Sequence, residues 1–186
     1  MLRARVIPCL LVRNKGLVKT RKFGDEKYVG DPINAVRIFN EKEVDELVLL
    51  DIDASVAGRE PDFAMIADVA AECRMPLCYG GGIKTAEQAR RILSLGVEKI
   101  ALSSVLLENP GLVSEIANEV DAQSVVAVLD VKKKWLSGYR VFTHNGKVDT
   151  GKEPVELAKQ LQAMGIGEIV INAIERDGMM EGYDLD

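Results

Sequence analysis

Residues 45–50 (DELVLL) recur in similar form as residues 167–172 (GEIVIN), about 120 residues further along the chain. Residues 6–19 and 125–142 form a second similar pair at nearly the same spacing, each with an apolar run, a basic loop and a shorter apolar piece. The spacing between copies accommodates four units of one strand and one helix. Eight such units make a (β/α)8 barrel of roughly 240–250 residues.

Short runs rich in Val, Ile and Leu alternate with amphipathic segments along the whole chain, as in a parallel sheet covered by helices. The predicted strands are residues 5–12, 46–52, 77–79, 99–102, 124–129 and 168–171; the predicted helices lie near residues 32–40, 62–73, 85–95, 110–120 and 153–164. We therefore predict an α/β fold of the (β/α)8 TIM-barrel type with about six βα units, forming one partial-barrel domain over residues 1–186. Six strands leave two open sheet edges, which association with another chain would cover.

Composition excludes several classes of protein. The 186 residues are 47% hydrophobic and 28% charged, with a net charge of −5, which is typical of a globular domain and not of a disordered chain. No long basic tract and no apolar run of membrane-spanning length occurs, so we expect neither a nucleic-acid nor a membrane partner. One histidine and three cysteines at no metal-like spacing predict reduced thiols, a cytoplasmic location, no metal site and no cofactor.

The reactive face of a parallel βα barrel lies at the carboxyl ends of its strands. The residues at those predicted ends are Leu11, Asp51, Asp53, Gly80, Gly81, Gly82, Ser103, Ser104, Asp130 and Asn172. Three consecutive glycines leave backbone N–H groups open to a phosphate, and the two serines add hydroxyl donors. Asp130 brings a carboxylate to this rim. The alternatives at this point are ordinary turn glycines and aspartates that only bond loop N–H groups.

Charged residues stand at the opposite ends of four predicted strands. They are Arg5, Glu46, Lys99 and Glu168, two cations and two anions at matching depth. Such groups must be paired if they are buried, so we predict an alternating charged ring across the barrel floor. The alternative is four solvated charges with no common role.

Several segments together resemble one family, the cyclase subunit of imidazole glycerol phosphate synthase. They are residues 5–10 (RVIPCL), 45–55 (DELVLLDIDAS), 80–83 (GGGI), 108–110 (ENP), 128–130 (VLD) and 175–184 (ERDGMMEGYD). The resemblance covers essentially the whole chain. It implies a barrel with a glutaminase subunit docked on its floor, ammonia passing through the barrel, and a phosphorylated small-molecule substrate at the rim.

The resemblance also assigns roles to residues. Arg5, Glu46, Lys99 and Glu168 match the charged gate around the ammonia entrance. Gly81, Gly82, Ser103 and Ser104 fall at a phosphate site, where the family usually has Asn-Thr in place of the two serines. Lys19 matches a lysine on a mobile loop that closes over the substrate, and Asp130 matches one of two catalytic aspartates. Asp51, Asn172 and Asp177 are further rim residues.

Position 11 departs from the family, because Leu11 stands where the other catalytic aspartate is expected. Leucine cannot transfer a proton, and a general acid or base typically contributes a factor of about 10²–10⁴ in rate. The Leu-Leu form is similar to paralogues associated with bacterial surface-polysaccharide synthesis. In those, a barrel and a glutaminase supply ammonia to a separate amidotransferase that builds an acetamidino sugar.

We therefore expect an ammonia-channelling amidotransferase subunit with weak or no cyclase activity. Three alternatives stay open: an active cyclase of histidine biosynthesis that tolerates Leu11, a related phosphosugar isomerase barrel, and a non-catalytic partial barrel.

Overall fold

The computed structural model describes residues 3–186, and these divide into two compact units. The first unit combines the chain up to Val18 with Tyr28–Ala101, and the second combines Lys19–Lys27 with Leu102–Asp186. Among the described residues, no helix has the length and apolar character needed to cross a bilayer.

Within residues 3–186, ten strands and six α-helices follow one another in chain order. The strands are β1 Cys9–Arg13, β2 Gly16–Arg21, β3 Gly24–Gly30, β4 Leu47–Asp51, β5 Leu77–Gly80, β6 Lys99–Leu102, β7 Val125–Lys134, β8 Gly138–Thr143, β9 Val148–Asp149 and β10 Glu168–Ala173. The helices are α1 Pro32–Lys42, α2 Phe63–Glu72, α3 Ala86–Ser94, α4 Val105–Glu108, α5 Pro110–Glu119 and α6 Pro154–Ala163, and a 3₁₀ turn covers Ala122–Ser124.

The first unit is built on parallel strands. Strand β4 pairs with β1 on one side and with β5 on the other, and β5 pairs with β6, all in parallel. Leu47, Leu49, Tyr79 and Ile100 are fully buried, which explains the near-continuous apolar composition of these strands. Helix α1 begins where the Asp31 side chain accepts a hydrogen bond from the Asn34 N–H, immediately before a proline at the first helical position.

The second unit is organised around β7. This strand pairs in parallel with β10, from Glu168 opposite Val126 to Ala173 opposite Val131, and antiparallel with β8, which pairs with β9. Its apolar residues are buried, and β7 contacts α6, in which Leu161 is fully buried. Helix α5 begins at an Asn109 cap followed by a proline.

These elements confirm the predicted α/β class, with βα repeats of the TIM-barrel type. The segments that follow the first and fifth predicted strands are more regular than predicted. Residues 16–30, which include the short apolar piece after the first basic loop, form strands β2 and β3. Strand β7 continues past its predicted end into an antiparallel hairpin with β8. Strand β1 begins at Cys9 instead of residue 5, because Pro8 has no N–H to donate, although the Pro8 carbonyl still accepts from the Val48 N–H at 2.9 Å.

A close backbone approach makes glycine necessary at position 81. Gly81 has a φ of +118°, and a Cβ there would lie 2.4 Å from the Asp51 carbonyl oxygen. We predict that Gly81→Ala lowers the free energy of unfolding by at least about 3 kcal/mol, measured by urea denaturation. Gly151 is the matched control, since its φ is +69° but a Cβ there meets nothing within 4 Å. Gly151→Ala should cost about 1 kcal/mol, and equal losses in the two variants would contradict the steric argument.

Candidate functional site

A buried ion-pair cluster lies at the amino ends of strands in the first unit. Glu46, which precedes β4 and is 3% exposed, accepts from Lys99 Nζ at 2.8 Å and from Arg5 Nη1 at 3.1 Å, both on its Oε2. Lys99 is the first residue of β6, and Arg5 lies just before β1. A buried carboxylate requires compensating charge, and two cations here supply it. We call Arg5, Glu46 and Lys99 the Glu46 cluster.

Glu168, the fourth residue of the predicted ring, belongs to the second unit. It is the first residue of β10, lies opposite Val126 of β7 and is half-buried. Its position at the amino end of its strand is the one that the sequence predicted, and its membership of the ring stays a prediction.

At the carboxyl end of β4, the Asp51 carboxylate bonds to groups in the loop that follows it. The buried carboxylate accepts from the N–H groups of Asp53 and Ala54 at 3.1 and 3.0 Å. The Arg59 guanidinium lies 3.3 Å from the same oxygen. Of the two interpretations that the sequence allowed, this geometry matches an aspartate that stabilises a loop.

The glycine turn after β5 is less open than predicted. The Gly82 N–H donates to the Ser55 Oγ at 3.2 Å, and a Cβ on Gly82 would lie 2.8 Å from the Arg59 carbonyl oxygen. In this structure the Gly82 amide is therefore engaged by Ser55, and the role of Gly82 in binding phosphate stays a prediction. Gly81 keeps partial exposure. Ser55 gave no signal in the sequence beyond its place in the family-like segment.

The two serines assigned to the same phosphate site follow β6 in the second unit. Ser103 and Ser104 are both partly exposed, and their carbonyls accept from the N–H groups of Leu106 and Leu107 at 3.0 and 3.1 Å. These bonds start the four-residue helix α4.

Position 11, where the resemblance expects a catalytic aspartate, carries an apolar side chain in β1. Leu11 lies opposite Leu50 of β4 and Val18 of β2, and it is half-buried. Two residues further on, Arg13 holds Asp53 in a two-point ion pair, with Nε–Oδ2 at 2.6 Å and Nη2–Oδ1 at 2.8 Å. This pair was not predicted from the sequence, where its only signal is opposite charge just past the ends of two predicted strands.

Asp130 in β7 has the environment of an acid–base group. It lies opposite Asn172 of β10, whose Nδ2 donates to its Oδ1 at 3.1 Å. Burial raises the pKa of the Asp130 carboxyl to about 7, the hydrogen bond from Asn172 acts in the opposite direction, and the negative charge of Asp177 adds to the increase. A carboxyl with a pKa near neutrality can donate or accept a proton at physiological pH.

Lys19 lies in strand β2, whereas the family resemblance placed it on a mobile loop. The β1–β2 ladder pairs Leu11 with Val18, and the burial of Leu17, Val18 and Thr20 gives the strand an inner side. The Lys19 side chain is exposed. The strand forms because apolar residues on both sides of the basic turn pack in register.

No group of three or more His, Cys, Asp or Glu side chains within residues 3–186 is arranged to hold a metal ion. The three cysteines, expected in the core, differ in burial: Cys78 is buried, Cys73 is half-buried and Cys9 is exposed.

The raised pKa of Asp130 predicts a pH-dependent stability. The unfolded carboxyl ionises near pH 3.9, whereas the folded one ionises near pH 7, so folding becomes progressively less favourable between these values. Relative to the wild type, Asp130→Asn should therefore gain up to about 4 kcal/mol of unfolding free energy between pH 4 and pH 8. Urea denaturation across this range measures the difference, and a difference that does not change with pH would contradict the assignment.

Comparisons with known proteins identify the family. A model of the histidine biosynthesis protein family matches residues 5–186. The chain is 60% identical to "Putative imidazole glycerol phosphate synthase subunit hisF3" of Vibrio vulnificus over the whole chain and 72% of that protein. It is 57% identical to "Putative imidazole glycerol phosphate synthase subunit HisF" of Leptospira borgpetersenii over the whole chain and 74% of that protein.

A third relative is more distant. The chain is 41% identical to "Imidazole glycerol phosphate synthase subunit HisF" of Metallosphaera sedula over 98% of the chain and 72% of that protein. The extent of these matches agrees with the parallel βα repeats of the fold. The chain therefore belongs to the histidine biosynthesis protein family, as a HisF-like relative of the cyclase subunit of imidazole glycerol phosphate synthase.

Proposed function

We propose that this protein is the barrel subunit of a glutamine amidotransferase that takes ammonia from a glutaminase partner. The observation that carries the proposal is the Glu46 cluster, in which a buried carboxylate is held by two cations at the amino ends of the strands. Lys99 and Arg5 share one oxygen of Glu46, so moving either cation changes the interactions of the other. Such a cluster suits a gate, because ion pairs can rearrange without unfolding the strands around them.

The same proposal places the reaction chemistry at the other ends of the strands. Asp130 supplies a group that can transfer protons near neutral pH, and Lys19 supplies a cation for a phosphorylated ligand. Within the second unit, the partly exposed Ser103 and Ser104 support a role in phosphate binding. Within the first unit, Gly81 is partly exposed, while the Gly82 amide is engaged by Ser55.

Leu11 argues against efficient cyclisation by this chain. An acid–base pair needs two titratable groups, and the end of β1 carries Leu11 facing Leu50 in the strand register. We propose that the ammonia serves a separate amidotransferase, in the manner of the surface-polysaccharide paralogues that the Leu-Leu form resembles. The glutaminase, the acceptor enzyme and the cytoplasmic location are parts of this proposal.

A working cyclase of histidine biosynthesis is the second candidate. It is favoured by the names of the relatives and by the raised pKa of Asp130. The two candidates share the ammonia gate and differ in whether imidazole glycerol phosphate is formed.

The gate is tested by Lys99→Met in the complex with a candidate glutaminase. We expect a pull-down to recover the complex, and this protein to increase glutamine hydrolysis. In the variant, glutamine-dependent product formation should fall at least fivefold while the rate with added ammonium stays within twofold, because free ammonium does not need the gate. Lys159→Met is the matched control, since that lysine lies on the exposed face of α6 and pairs with Glu156. Failure to form a complex, or an equal fall in both rates, would contradict the gate.

Restoring the carboxylate tests the role of position 11. We predict that Leu11→Asp raises any ammonium-dependent formation of imidazole glycerol phosphate at least tenfold, measured by mass spectrometry. Leu11→Asn is the control, because it adds polarity at the same position without a group that titrates. An unchanged rate in Leu11→Asp would mean that position 11 does not limit cyclisation.

A further inference from the structure

Asp177 makes more contacts than a solvated rim residue would. Its Oδ2 accepts from the Thr20 Oγ1 at 2.8 Å and from the Phe23 N–H at 3.0 Å. Its carbonyl oxygen accepts from the Lys22 N–H at 3.0 Å. Three hydrogen bonds therefore join Asp177, in the segment that follows β10, to the end of β2 and to the turn between β2 and β3. These partners lie more than 150 residues earlier in the chain.

Close packing of backbone and side chains surrounds these bonds. A Cβ on Gly178 would lie 2.0 Å from the Thr20 carbonyl oxygen, so the two backbones touch directly. A Cβ on Gly146, in the turn between β8 and β9, would lie 3.3 Å from the Phe23 ring and 3.2 Å from Ile174. Thr20 is 5% exposed, so its hydroxyl and the Asp177 carboxylate meet largely out of water.

Asp177 is also tied to the strand end that presents Asp130. Its N–H donates to the Ala173 carbonyl at 3.1 Å, and Ala173 lies opposite Val131, the residue after Asp130. Asp177, whose carboxylate holds the β2–β3 turn, thus lies in the turn of chain that follows Asn172, the partner of Asp130.

We propose that Asp177 is a positioning residue whose carboxylate fastens the hairpin carrying Lys19 to the turn after β10, beside Asp130. The Lys19–Phe23 part of the hairpin is then held in an ordered position within the second unit and is released only when the Asp177 contacts break. The proposal deepens the proposed function, because it assigns the Lys19 strand and Asp130 to one coupled site. The fastening itself needs neither the glutaminase nor a substrate.

Hydrogen–deuterium exchange of the full protein without ligand tests the fastening. In Asp177→Asn we expect the backbone N–H groups of residues 19–24 to exchange at least tenfold faster, because the side-chain amide of Asn is a weaker acceptor than a carboxylate. Asp184→Asn is the matched control: Asp184 also accepts from a hydroxyl in the second unit, that of Tyr139. It should leave residues 19–24 unchanged. Unchanged exchange in Asp177→Asn would overturn the proposal.

Two further variants separate positioning from general destabilisation. Gly178→Ala keeps the carboxylate but forces the backbones apart, so it should also quicken exchange in residues 19–24 while β7 stays protected. Thr20→Val removes one hydrogen bond and keeps the charge.

An NMR titration measures the pKa of the Asp130 carboxyl. A merely structural role of Asp177 would not change this pKa. The apparent pKa of Asp130 should fall from about 7 in Asp177→Asn and stay within half a unit in Thr20→Val. An unchanged Asp130 pKa in Asp177→Asn would overturn the coupling to Asp130, whatever the outcome of the glutaminase experiments.

Discussion

A buried carboxylate without compensating charge costs several kcal/mol, and Glu46 meets this constraint with two cations on one oxygen. Replacing all three charges by apolar residues would remove the need for compensation. A buried charged cluster is therefore weak evidence for stability and better evidence for a use of the charges. The proposed ammonia gate is such a use, because a path for ammonia requires polar groups in an otherwise apolar interior.

The other strand ends show a different distribution of charge. Asp51 and Arg59 stabilise a loop, Arg13 and Asp53 form a two-point pair, and Asp177 fastens a hairpin. The hydrogen bond to Asp130 comes from the neutral amide of Asn172, and burial raises the pKa of the Asp130 carboxyl to about 7. Ion pairs hold the loops at Asp51 and Asp53, whereas the Asp130 carboxyl is able to exchange a proton near neutral pH.

The sequence predicted the βα order and the location of the charged residues because both follow from local pattern. Continuous apolar runs predict buried parallel strands. Glu46 and Lys99 lie at the starts of such runs, and these positions do not depend on the conformation of the loops. The sequence could not show that Ser55 occupies the Gly82 amide, or that Thr20 meets Asp177, because those contacts join segments far apart in the chain. The strand that carries Lys19 could not be predicted for a related reason. A short basic stretch has the composition of a loop, and it forms a strand here because β1 supplies its hydrogen-bond partners.

Isotope retention tests the central claim of ammonia transfer most directly. The complex with its glutaminase would be given glutamine labelled with ¹⁵N in the side-chain amide, together with an excess of unlabelled ammonium, and the ¹⁵N content of the aminated product would be measured by mass spectrometry. Transfer through the protein predicts that the product keeps most of the label. Label diluted to the ratio of the bulk ammonium would contradict it.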